Sequence, residues 1–297
     1  MHTILVTGAT GTVGSATIKA LTAQGLHVRA GVHSIIKGER LKHPQVELAE
    51  MDYGRPESLQ AAMTGIEKMV LITPFSENQL EMVHKAVEQA KKCGVKHVVR
   101  LSAIGADAEP GIKLGRWHRE AEKAVEQSGI PFTHLRPNSF MQNFINFHGH
   151  SIQTESRFYA PAGHGKISYI DVHDIAQAIA GVLTGNEHLN QAYNLTGPQA
   201  VSADEIATEL SLALGRVVTF VDIPAEEARK SMLGQHMPVW LADALLELYA
   251  LGKAGHCDLV EPNVEKITGN KPRTFPEFIA ANKQAFETQE ELQAEKK

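Results

Sequence analysis

Glycines at positions 8, 11 and 14 constrain this chain more than any other feature. They follow a short apolar run, Ile4 to Val6, which reads as a buried strand. They precede a segment from Ser15 to Gln24, with Val13, Ile18 and Leu21 at helical spacing and Gly25 closing it. Strand, glycine turn, helix is the order a dinucleotide site needs. Gly8 permits the tight turn, and Gly11 lets the backbone approach a pyrophosphate. Gly14 lets helix and strand pack closely, while the helix N-terminus faces the anion. Thr10, Thr12 and Val13 belong to the same turn and complete the expected phosphate contacts.

A chain of 297 residues suffices for a large α/β domain with a substrate lobe. The net charge of −5, with no dense basic run, argues against nucleic acid and anionic membranes as partners. No apolar run approaches the ~20 residues of a membrane span. Cys93 and Cys257 form no C-x-x-C pair and suit a reduced cytoplasm. Folding sequence begins at residue 2, so no leader is expected. A cytoplasmic monomer or homodimer is the expectation. The histidines are scattered, and the closest pair, His148 and His150, does not share a helix face, so no metal site is expected.

Strands and helices then alternate. Strands are expected at His27–Val32, Val46–Met51, Lys68–Ile72, Lys96–Leu101 and Pro131–Arg136. Helices are expected at Pro56–Met63, Asn78–Cys93 and about Arg116–Gln127. Farther on, Tyr159 to Lys166 reads as a loop, Ile167–Ile170 as a short strand, and Asp171 as the cap of a helix to about Leu183. Gln191–Leu195 reads as a strand returning to the sheet. Ser202 to Glu205 forms a capping box, Val217–Val221 reads as a strand, and Pro224 to about Leu251 is helical with breaks at Gly234 and Pro238.

This alternation predicts an α/β fold: a Rossmann-like, doubly wound parallel sheet with helices on both faces and a smaller, mainly helical C-terminal lobe. The expected divisions are a dinucleotide-binding domain over 1–150, a return to the sheet over 166–197, a substrate lobe over 198–286 and a charged, frayed tail over 287–297.

An NAD-selective site usually places an acid at the end of strand two, for the ribose 2′-hydroxyl. Here the strand ends Gly31-Val32-His33-Ser34, and no carboxylate occurs before Glu39. His33 or Lys37 could meet a 2′-phosphate, which favours NADP (as NADPH) over NAD. Asp52, after strand three, could reach the adenine edge or serve as a turn residue.

Three motifs together resemble the NmrA-like branch of the short-chain dehydrogenase/reductase superfamily. They are Thr7-Gly8-Ala-Thr-Gly11-Thr-Val-Gly14, Leu135-Arg-Pro-Asn-Ser-Phe-Met-Gln-Asn143 and Ile170-Asp-Val-His-Asp-Ile175. The pattern is similar to bacterial NAD(P)H azoreductases, triphenylmethane-dye reductases and NAD(P)H quinone oxidoreductases of that branch. The resemblance implies a Rossmann-like fold with bound NAD(P).

Many members of the superfamily use a Tyr-x-x-x-Lys pair on the helix after strand five, with a Ser at the strand's end. Ser102 stands where that Ser would, and Glu122 matches the helix glutamate. Leu114 falls at the Tyr position and His118 at the Lys position. The chain has no tyrosine between Tyr53 and Tyr159. Quinones, azo groups and cationic dye carbons accept hydride without that pair, with a proton from water or a modest acid. His118 could be that acid, or could only hydrogen-bond a ribose. Ser102 could touch the nicotinamide or substrate, or cap its own strand.

Thr73, Pro74 and Phe75 follow strand four and are expected near the cofactor. Asn138 and Phe140 follow strand six and are expected to line the nicotinamide, with Met141 in the core. Trp117, Trp240 and Tyr249 could wall an aromatic substrate or simply pack. Two functions follow: a flavin-independent NAD(P)H reductase of azo, quinone or triphenylmethane-type compounds, or a non-catalytic NAD(P)-binding redox sensor.

Overall fold

The computed structural model describes residues 3–288 and 291. In chain order the first half contains β1 (Thr3–Val6), α1 (Thr12–Ala23), β2 (Val28–Val32), α2 (Ile35–Gly38), β3 (Val46–Glu50), α3 (Pro56–Met63), β4 (Ile66–Leu71), α4 (Gln79–Lys92), β5 (His97–Leu101), α5 (Lys113–Gln127) and β6 (Phe132–Pro137). After these come α6 (Gly149–Glu155), β7 (Arg157–Ala160), β8 (Lys166–Ile167), α7 (Val172–Thr184), β9 (Gln191–Leu195), β10 (Val201–Ser202) and α8 (Ala203–Leu214). The chain continues through β11 (Thr219–Asp222), α9 (Ala225–Gly234), α10 (Val239–Lys253), α11 (Asn263–Thr268) and α12 (Phe275–Ala281). None of the helices among the described residues is long and apolar enough to cross a membrane.

These elements fall into two compact units. The first comprises residues up to Pro137, Val172–Leu195 and Asn263–Asn270. It holds a seven-stranded sheet in the order β3-β2-β1-β4-β5-β6-β9, parallel throughout. A parallel sheet covered on both faces needs strands apolar on both sides, which is why Leu5, Val6, Val70, Leu71, Val98 and Val99 are all buried. On one face Leu59, Met63, Met69, Val83, Val87 and Val125 form a continuous core beneath α3, α4 and α5. Each such side chain contributes about 1.5–3 kcal/mol. Ile18 and Leu21 of α1 and Ile175 and Ile179 of α7 are buried as well, and α1 and α7 pack against each other.

The chain winds outward from β1 through β2 to β3, then crosses back to place β4 on the other side of β1. The carboxyl ends of β1 and β4 therefore flank the switch point where ligands of open α/β sheets bind.

The second unit comprises Asn138–Asp171, Thr196–Pro262 and the segment from Lys271 onward. Its core is aromatic: Phe144, Phe158, Phe275, Phe278 and Phe286 cluster with Ile206 and Leu210. Phe144 and Phe275 meet edge to face, at 5.1 Å and 89°. Ser202 caps α8 with both halves of the capping box in place.

Four expectations shift here. Tyr159 was expected to open a loop, but Arg157–Ala160 is β7, paired in parallel with β11. The strand expected over Ile167–Ile170 ends after Ile167. Beyond it, the backbone N–H groups of Ser168 and Ile170 leave the ladder and donate to Cys257 and Ser139. The strand expected over Val217–Val221 lies at Thr219–Asp222. Within the expected tail, Glu287 is buried and its carboxylate is 3.1 Å from Lys283 Nζ. Residues 289–290 and 292–297 of that tail lie outside the described residues.

Candidate active site

The glycine turn is held from below. Thr7 Oγ1 donates to the Ile72 carbonyl and accepts from the Ile72 N–H, both at 2.8 Å, which fastens the end of β1 to the end of β4. Gly8 has φ of +58°, and a methyl there would stand 2.8 Å from the Ile72 carbonyl oxygen. Gly11 donates its N–H to Gly8 at 2.9 Å and caps α1 in an extended conformation. A methyl on Gly14 would overlap the Gly8 carbonyl. Thr12, Val13 and Gly14 open α1, and the first turn of a helix leaves N–H groups without intrahelical acceptors at its positive end. Val13 is buried, Thr10 half-buried and Thr12 exposed. The result is a side-chain-free cradle of backbone donors, which fits a pyrophosphate.

One guanidinium lies against this cradle. His33 and Lys37 are exposed after β2, as is Arg40, and Arg40 donates a guanidinium N–H to the Thr10 carbonyl. Arg40 thus lies on the glycine turn itself. Arg40 follows Lys37 on the acid-free segment after β2, where the sequence already offers an arginine or lysine compatible with a 2′-phosphate. Asp52 proves to be a turn residue. Its Oδ1 accepts from the Gly54 N–H at 2.7 Å and its Oδ2 from Arg55 at 3.2 Å. These bonds hold its carboxyl below the usual range.

Thr73 is half-buried, and Pro74 and Phe75 are exposed, just past β4. In the second unit, Asn138 is buried and both amide hydrogens are taken, by Ser168 Oγ at 2.8 Å and the Cys257 carbonyl at 3.0 Å. Its oxygen accepts from the Ser139 N–H. The amide is thus bonded on both its nitrogen and its oxygen within its own unit. Phe140 is half-buried and bridges to Ile170, while Met141 is in the core. Trp117 is half-buried with the Lys113 ammonium 4.9 Å from its ring centre. Trp240 and Tyr249 are half-buried in the second unit.

Beyond Val98 and Phe132, which join the apolar core, the face of β5 and β6 that meets α5 turns polar toward the carboxyl ends of the strands. Alternate residues of a strand share a face, so Arg100 and Ser102 point one way, as do His134 and Arg136. His118, Glu122 and Glu126 answer them from α5 at intervals of one turn. Glu122 is fully buried. Its Oε1 accepts from Ser102 Oγ at 2.6 Å and Arg136 Nε at 2.8 Å, and its Oε2 from Arg136 Nη2 at 2.8 Å and Arg119 Nη1 at 3.1 Å. Burial alone would raise its pKa, but the bonds from Arg136 and Ser102 prevail and hold it at about 2. Glu122, Glu126 and His134 converge in a manner that could suit a metal. However, Arg136 and Arg119 occupy these carboxylates, so the cluster is an ion-pair network.

Leu114 is buried and offers no proton. His118 corrects the expectation of an acid near neutrality. Burial and the Arg100 guanidinium push its pKa down to about 3, so the ring is neutral at pH 7. Ser102 is buried at the end of β5, and its only O–H hydrogen goes to Glu122.

Comparison with known proteins agrees with this geometry. The model of the NmrA-like family matches residues 1–279. An NAD(P)H azoreductase of Xenophilus azovorans is 41% identical over 95% of this chain and 99% of its own length. The quinone oxidoreductase QOR2 of Escherichia coli, solved with NADPH, superposes with a TM-score of 0.85 at 27% identity, over 94% of this chain and 99% of that one. The triphenylmethane reductase of Citrobacter sp., solved with NADP(H), gives 0.82 at 30% identity, over 95% and 99%. With the parallel sheet, the glycine cradle and a family match that runs almost end to end, the chain belongs to the NmrA-like family.

Proposed function

We propose that this chain is a flavin-independent, NADPH-dependent reductase of electrophilic aromatic compounds: quinones, azo compounds or triphenylmethane-type dyes. The observation that carries the reading is a complete dinucleotide cradle beside a reaction site without a protein acid. Leu114 and a neutral His118 stand where the superfamily's tyrosine and lysine would be. Such a site is poor for alcohol–ketone chemistry, which needs a proton partner, and adequate for acceptors that take hydride readily. NADPH, when bound, supplies the hydride. The chain's part is to hold the pyrophosphate over Gly8–Gly14, with Arg40, His33 and Lys37 placed for a 2′-phosphate. Water supplies the proton that completes the reduction.

The relatives named for azo, quinone and triphenylmethane reduction support catalysis over a sensor role. Both cysteines are free thiols, in keeping with a cytoplasmic protein, and we assign it as a monomer or homodimer. The test is incubation of the purified chain with NADPH or NADH and a panel of quinones, azo dyes and triphenylmethane dyes. Acceptor-dependent loss of the reduced cofactor's absorbance is expected, faster with NADPH. No loss with any acceptor would exclude the reductase.

A further inference from the structure

Arg100 is 1% exposed, on a strand of a parallel sheet. Among the described residues no carboxylate stands within ion-pair distance of it, because its neighbour Arg136 takes both Glu122 and Asp107. Its Nε has no hydrogen-bond partner. Among the described residues its one acceptor is His118 Nδ1, 3.5 Å from Nη1 and 3.4 Å from Nη2. A guanidinium buried with no counter-ion and an idle donor destabilises a fold, and an apolar side chain of similar volume would serve the core better. The arrangement therefore points to what the guanidinium does to its neighbour.

A guanidinium has only donors. Where both of its terminal nitrogens face Nδ1, that atom must be an acceptor, and the ring hydrogen then resides on Nε2. The groups around His118 divide in sign. Arg100 faces it from β5 and disfavours a second proton. Glu122, one turn along α5, favours one, but is held by Arg136 and His134 faces it from β6, while Ser102 and Arg119 bond to its oxygens.

We infer that Arg100 is a positioning residue, which fixes His118 as the neutral Nε2–H tautomer so that the reaction site carries an uncharged hydrogen-bond donor at that position. One rung along, Glu122 sets the opposite polarity: it takes the hydroxyl hydrogen of Ser102 and leaves that oxygen with lone pairs only. The use of this donor in turnover rests on the reductase reading above; the tautomer does not.

The experiment is ¹⁵N NMR of the full chain labelled at histidine, with His118→Gln to assign the resonance. In the wild type, His118 is expected to show the Nε2–H tautomer and no titration from about pH 8 to about pH 5, well below an ordinary histidine's midpoint. In Arg100→Met, burial and Glu122 remain but nothing holds Nδ1 as an acceptor, so a mixed Nδ1–H and Nε2–H population and a titration midpoint above the wild type's are expected for His118, with a matching shift in the pH profile of kcat. The urea midpoint of the variant is expected to stay or rise, because an unpaired buried cation has been removed. A wild-type His118 that is Nδ1–H, or that titrates near about pH 6.5, overturns the inference without any variant. So does Arg100→Met that loses stability while the His118 resonance and the pH profile stay unchanged. Turnover by a wild type whose His118 titrates normally would sink the inference alone. Absence of turnover with the Nε2–H tautomer in place would sink the reductase reading and support the positioning.

Discussion

Arg136 clamps Glu122 through two parallel hydrogen bonds of 2.8 Å, Nε to Oε1 and Nη2 to Oε2. This fork joins β6 to α5 beneath the carboxyl ends of the strands, and it passes its order on to Ser102, whose hydroxyl bonds to the same Oε1. The end of β5 is thus held by a chain of charge-assisted bonds rather than by apolar packing.

A buried carboxylate that loses its partner is costly. Arg136→Met leaves Glu122 buried with only Arg119 and Ser102, and should lower stability by about 3–5 kcal/mol in urea denaturation at neutral pH. Adding Glu122→Leu removes the stranded charge, and the double variant should regain most of that loss. Two costs that simply add would show that the fork is not the interaction that matters.

The glycines of the cradle should separate fold from ligand. Gly14→Ala drives a methyl into the Gly8 carbonyl and should destabilise the turn itself. At Gly11 the nearest atom to a methyl is the Gly8 oxygen at 3.2 Å, and the remaining space is open. Gly11→Val should leave the melting temperature within a few degrees and abolish NADPH binding in calorimetry, since the side chain fills the space of the pyrophosphate. Retained affinity would place the dinucleotide elsewhere.

Arg40 offers a test of cofactor choice. It lies against the Thr10 carbonyl at the rim of the cradle, and its guanidinium suits a phosphate bidentately. A charge-assisted bond contributes about 1.5–3 kcal/mol. Arg40→Gln should therefore reduce kcat/KM for NADPH by about ten- to a hundredfold, with little change for NADH. Equal losses with both cofactors would mean that Arg40 braces the turn instead.

Much of this was legible in the sequence, for physical reasons that differ by element. The sheet was readable because its central strands are apolar on both sides: Val70, Leu71, Val98 and Val99 are all buried, and β4 and β5 fall within two residues of the runs expected at Lys68–Ile72 and Lys96–Leu101. β7 was hidden because Tyr159-Ala-Pro161-Ala-Gly163 carries turn residues, and its pairing to β11 is between distant segments. The glycine cradle follows from local backbone rules and could be placed residue by residue. The polar layer under α5 could not. Arg100, His134 and Arg136 sit inside strands, where single charges read as surface positions, and only the register of β5, β6 and α5 shows that they are buried together. The available signal was their common parity within two neighbouring strands, set against Glu122 and Glu126 one helical turn apart.

The buried histidines make stability sensitive to mild acid. His97 and His134 are nearly inaccessible, and burial pushes each down to about 4; in His97 the Lys68 charge adds to this. Their folded pKa values lie below the unfolded value near 6.5, so the unfolded chain binds more protons between those limits. The stability that neutral histidine allows is therefore complete above about pH 6.5, and is lost as pH falls toward 4, by up to about 1.4 kcal/mol per pH unit for each ring. Glu122, held at about 2, begins to lose its own contribution only once the pH falls below the ordinary carboxyl range near 4.5. Urea midpoints measured from pH 8 to pH 4 should stay level and then decline from about pH 6.5. His97→Gln keeps a polar partner for Thr133, whose Oγ1 lies 2.9 Å from His97 Nε2, but cannot titrate. It should make the decline shallower by one ring's share. An unchanged slope would show that His97 is not held neutral in the folded protein.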